Sequence, residues 1–212
     1  MKRFTQLLRV LRRDENGVAF VEFAFVAPIL LTLILGGLEL ANYALAHLRV
    51  NQIAMTVADN AGRVQTGIDE ANVYEVFSGA EVIGEPLGFE GNGRIVLSSL
   101  QDNGKTGSNH GQMINWQRCW GNLDVDPLYG DEGDGREDDE LEDGMGKDGS
   151  KIISAPDSAV MVVEVTYDYQ PLIGSGFMPV SGQIRHESAF NVRGRTNNDI
   201  TNSQDLDVQA CA

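Results

Sequence analysis

One carboxylate stands alone in an apolar run. Val18 to Leu38 is a 21-residue stretch whose single charged side chain is Glu22, five positions past Gly17. At mid-membrane a carboxylate costs about 2.5–3.5 kcal/mol on insertion scales, so it marks a functional candidate by default. The chemistry it offers is pairing. In low dielectric a carboxylate attracts an ammonium strongly, and a mispaired arrangement is expensive, so register is specified as much as stability. The bland alternative is that Glu22 lies near the interface, reaches water and does nothing specific.

Elsewhere reactive groupings are sparse. His47, His110 and His186 lack metal-ligand spacing. His186 and Glu187 alternate along a strand pattern and point to opposite faces. Cys119 and Cys211 have no activating surroundings. As an even pair beyond an apolar run they fit one disulfide, with two unpaired thiols as the alternative. No serine has a nucleophile-elbow context, and Gly91-Asn92-Gly93 reads as a turn rather than a phosphate loop. Acids crowd among glycines between Asp124 and Asp148, and interspersed carboxylates are the kind of donors Ca²⁺ takes. An EF-hand register fails, because it sets Gly130 at the first position and Leu141 at the twelfth. A solvated acidic loop fits better. Catalysis, a metal site and a cofactor are therefore not expected.

The elements that carry these residues follow from periodicity and charge. Twenty-one helical residues rise about 31 Å, close to the ~30 Å hydrocarbon core of a bilayer. Past Leu38, apolar positions 40, 43, 44, 47, 50, 54, 57 and 61 keep helical spacing. One helix over 18–64 is expected, with its membrane segment at 18–38. Pro28 lies inside, as membrane helices tolerate. The apolar run is too long for an ordinary removed signal.

The whole chain has 212 residues and net charge −15. Lys2, Arg3, Arg9, Arg12 and Arg13 against Asp14 and Glu15 leave residues 1–17 positive by three, so the remainder carries −18. Basic residues before a membrane segment keep their side cytoplasmic. Residues 1–17 read as a cytoplasmic leader and everything past the helix as exported. An acidic exterior argues against nucleic-acid binding.

Residues 65–200 have the size of one modest domain. A short helix is expected at 69–77, capped by Asp69, and 84–93 reads as loop. Strands are expected at 94–100, 113–120, 158–169 and 182–192, the first two as a hairpin with a long loop. Residues 121–151 are expected as a mobile acidic, glycine-rich loop. Residues from Gly194 on read as polar and poorly ordered, with 201–212 as a tail. The fold class is α+β: a long helix, its first half in lipid, on a small antiparallel sheet.

Gly17, Val21-Glu22-Phe23, Ala27-Pro28 and Gly36-Gly37-Leu38-Glu39 fall at informative spacings. Together they resemble the TadE-like family, pseudopilin-like proteins of tight-adherence (Flp) pilus systems. Weaker likeness extends to Ile114–Cys119, Val163–Tyr167 and Arg185–Phe190. The resemblance implies a single-pass protein of a bacterial inner membrane, with the exported part periplasmic. Its implied role is that of a minor pilin or pseudopilin that meets other pilins or pilus-assembly proteins. It also implies cleavage by a prepilin peptidase between Gly17 and Val18, although not every family member need be processed. Cleavage would place a new ammonium one helical turn from Glu22. Flp-type pilins favour Glu-Tyr after the cut, where this chain has Glu22-Phe23. The alternative is a permanently anchored periplasmic binding or scaffold domain.

Overall fold

A computed structural model describes residues 16–65, 67–174, 182–195 and 197–211. The chain divides into two compact units, Met1–Asn42 with Pro171–Pro179, and Tyr43–Gln170 with Val180–Ala212. The basic leader, apart from Asn16 and Gly17, lies outside the described residues.

Helix α1 (Asn16–Arg63) runs for 48 residues, close to the expected span. In the first unit it is apolar all round and exposed: Phe20, Phe23, Phe25, Ile29, Leu33 and Leu38 all face outward. A helix of that kind belongs in a bilayer or a large core. Among the described residues it is the one helix long and apolar enough to cross a membrane. Pro28 sits inside it, and the Thr32 hydroxyl donates to the Pro28 carbonyl at 2.8 Å.

In the second unit the same helix is two-faced. Ala46, Val50, Ile53, Ala54, Val57, Ala58 and Ala61 are buried, at the three/four spacing that lays one stripe against a partner layer. That layer is a four-stranded antiparallel sheet of order β3-β2-β4-β5. Its strands are β2 (Gly93–Asp102), β3 (Gln112–Trp120), β4 (Ala159–Asp168) and β5 (Gln183–Asn191). A two-residue strand, β1 (Ile68–Asp69), pairs in parallel with β6 (Ile200–Thr201). The fold class is the α+β arrangement expected. Ile53, Phe77, Phe89, Ile95, Leu97, Met161 and Val163 belong to one core cluster, and full burial of such a side chain contributes about 1.5–3 kcal/mol.

The β4 sequence Ala159–Asp168 is apolar on both faces because both are covered. Met161, Val163 and Val165 join the core that holds α1. Val160 and Val162 meet Leu100, Ile114, Leu141 and Met145 in a second core. This second core corrects the expectation of a mobile acidic loop without apolar surface. Tyr129, Leu141 and Met145 within the acidic stretch, and Ile152 just past its end, seat it on the sheet. It also hydrogen-bonds along β3: Ile114 N–H donates to Asp134 O, and Gln112 N–H to Leu141 O. Gly135 is required there, since a Cβ would lie about 2.1 Å from the Gln112 carbonyl oxygen.

Helix α2 (Glu70–Gly84) is longer than expected. Ser78-Gly79 resembles a stop, but Ala80 continues the stripe of Val73, Val76 and Phe77 into the core. Asp69 caps it, accepting from Ala71 N–H, while Asn72 accepts from Asp69 N–H. Donors from Thr201, Ser203 and Ala71 hold the Asp69 carboxyl down at about 2. Residues 84–93, expected as loop, form a 3₁₀ turn (Glu85–Leu87) and a short helix α3 (Phe89–Asn92). Phe89 stacks between Trp120 and Tyr167. Its ring fills the space where a Cβ on Gly93 would sit.

Candidate functional site

Gly17 lies in the first turn of α1, so the 17–18 peptide bond is helical. Val18 and Phe23 are exposed, Phe23 by 68%. Glu22 is exposed among them and has no partner among the described residues. An apolar helix surface carrying a single uncompensated carboxylate is suited to lipid plus one polar contact supplied by another molecule.

Glu39, at the outer end of the apolar run, has a fully buried side chain. It accepts a hydrogen bond from Ile173 N–H at 3.0 Å. Residues 171–174 come from far along the chain, which no local pattern announces.

In the second unit, β3 is the attachment point for most distant segments. A register shift opposite Ser99 and Leu100 leaves Asn115 as an extra residue, the geometry of a β-bulge. The bulge sends Ile114 into the outer core and Trp116 into the inner one. The Trp116 indole N–H donates to Asn198 O at 2.9 Å, and Asn115 donates to Asp199. Arg118 is buried and forks onto Glu70 Oε1, with 2.8 Å from Nε and 2.6 Å from Nη2. A second arm reaches Glu132 at 2.9 Å. Cys119 and Cys211 form a disulfide with Cα atoms 4.8 Å apart. Cys119 N–H also donates to Gln209 O.

The stretch from Gly194 is thus tied down, contrary to its expected disorder. Composition alone missed Arg195. Its guanidinium is buried and donates to the Val64 carbonyl at 2.9 Å and the Ala61 carbonyl at 2.8 Å, closing the C-terminal end of α1. A cation near a helix end is a usable signal only when the two are close in sequence, and here they are not.

The histidines split as strand alternation dictates. His186 faces the helix, its Nε2 lying 3.2 Å from His47 Nδ1. The His186 imidazole is driven below its usual range, first by burial and then by the His47 and Lys147 charges. Glu187, on the opposite face, accepts from the Tyr129 hydroxyl and pairs with Lys147. Burial, followed by that Glu187 contact, raises the Tyr129 phenol. His110 lies 3.7 Å from Asp102 at the surface. Among the described residues no cluster of three or more His, Cys, Asp or Glu is arranged to hold a metal ion.

Over residues 17–59 the chain matches the TadE-like protein family. The TadE-like match covers α1 from its first turn almost to its end. It includes Gly17, Glu22, Phe23, Pro28 and Glu39. It stops before the sheet, so the likeness noted at 114–119, 163–167 and 185–190 lies beyond it. No curated protein and no solved structure matches the chain.

Proposed function

We propose that this chain is a minor pilin or pseudopilin-like structural subunit of a tight-adherence (Flp) pilus assembly or a related secretion system. One observation carries the reading: the TadE-like match falls on the exposed apolar helix, whose lone carboxylate has no partner among the described residues. In lipid, Glu22 then finds its counter-charge on a neighbouring subunit, and assembly is favoured over dispersal. The basic leader orients the N-terminus to the cytoplasm and the acidic domain to the periplasm. The role is structural, with no cofactor, and its partners are the inner membrane and other pilus proteins.

Processing between Gly17 and Val18 by a prepilin peptidase belongs to this reading. It supplies the ammonium one turn from Glu22. Intact-mass measurement and N-terminal sequencing of protein recovered from membranes test it. Val18 at the N-terminus is expected. An intact Met1 favours the permanently anchored scaffold.

A further inference from the structure

The two edges of the sheet are treated unequally. On β3 the outward backbone groups are engaged. Gln112, Ile114 and Cys119 donate to the carbonyls of Leu141, Asp134 and Gln209, and Ile114 O accepts from Gly133. Gln117 N–H is taken by the Glu132 carboxylate.

At the other edge, two bonds fix which way the β5 backbone points. Tyr169 N–H donates to Gly182 O, and Val192 N–H donates to Ala159 O. Residues 182 and 192 therefore face β4, and antiparallel alternation turns Arg185, Glu187 and Ala189 outward. Among the described residues, nothing hydrogen-bonds the main chain of these three. The open stretch ends where Arg193 N–H donates to Gly62 O. A groove of about 400 Å³ runs beside it, lined by Lys147, Ser150, Ile152, Arg185, Glu187 and Ala189.

The charges beside this edge are not balanced. Lys147 lies 2.9 Å from Glu187, so those two satisfy each other. Arg185 donates to Gln183 and its charge pulls on the Glu164 carboxyl, but it forms no direct ion pair among the described residues. An unpaired guanidinium beside open peptide groups, in a domain otherwise rich in acid, selects for a carboxylate. Proteins normally close or blunt long strand edges, and this chain does so thoroughly at β3.

We propose that the outer edge of β5 docks one extended, antiparallel strand of a partner protein. That strand carries an acidic residue opposite Arg185, an uncharged one opposite Glu187 and an apolar one opposite Ala189. Main-chain bonds supply the affinity and the alternate side chains the selectivity. The pairing does not depend on the pilus reading.

The probe is a fluorescein-labelled peptide, acetyl-TVTTTET-amide, titrated into the full chain in detergent micelles. Saturable binding is expected. In amide exchange by NMR it should protect Arg185, Glu187 and Ala189, whose N–H groups start unbonded. Ala189→Pro removes one outward N–H and no bond to β4, and should weaken binding at least tenfold. Arg185→Glu should invert the preference, so that the matching peptide with Lys in place of Glu binds the variant better than the original does. The inversion reads the register even if the proline variant does not fold. Absence of saturable binding to the unmodified chain, or binding indifferent to both substitutions, would overturn the proposal.

Discussion

Glu164 on β4 lies directly opposite Glu187 on β5, and like charges opposed across strands repel. Burial first, and then the Glu187 charge, raises the Glu164 carboxyl to about 7, against the Leu128 N–H bond and the Arg185 charge that pull it down. Its folded value lies above its unfolded one, so the sign is fixed. Its contribution is fully present below about pH 4.5 and is lost as pH rises through about 7. The shift corresponds to roughly 3 kcal/mol as an upper bound. Glu164→Gln carries no charge, so it should lack this part of the decline between pH 5 and 8 and keep only the slope that the lowered His186 gives both proteins. Urea melts of the two proteins across that range check this; parallel slopes would contradict it. Nothing in the run around Glu164 announces it, because the charge that opposes it comes from another strand. Glu22 was legible for the opposite reason: its contrast with its own neighbours is local.

At the scale of elements, legibility followed the same division. The long helix and the four strands were readable from periodicity, since each buries a stripe set by its own repeat. The acidic stretch was not. Four apolar side chains among many acids look negligible in composition, yet they are spaced to meet the outer sheet face. The chain beyond Gly194 was misread likewise, because its anchors are single residues: Arg195 under α1, Asn198 at Trp116, Cys211 at Cys119. The disulfide closes a separation of 92 residues, a constraint on the unfolded chain on the order of 4–5 kcal/mol in the loop-entropy model. Arg195→Ala leaves the Ala61 and Val64 carbonyls without their donor. Charge-assisted bonds of this kind contribute about 1.5–3 kcal/mol. The melting midpoint of the second unit should fall by several degrees, with membrane insertion unchanged. Near-UV circular dichroism of the variant in micelles measures this, and an unaltered midpoint would remove the helix-closing role.

For the whole molecule, charge and greasiness are segregated along the chain. A basic leader precedes the exposed apolar half of α1, and nearly all the acid follows. The apolar half has no covering layer of its own among the described residues, and in the proposed function lipid and other subunits cover it. Glu22 is where the two differ, because lipid offers it nothing and a neighbouring helix can. A carboxylate left alone at mid-membrane costs about 2.5–3.5 kcal/mol, roughly a hundredfold in partitioning, and a partner's counter-charge in the proposed assembly offsets that cost. The decisive measurement is the recovery of Glu22→Ala protein in two fractions from the same cells, the carbonate-resistant membrane and the assembled pilus machinery. The membrane content should match the parent while incorporation into the assembly falls at least tenfold. Incorporation at the parental level would contradict the account.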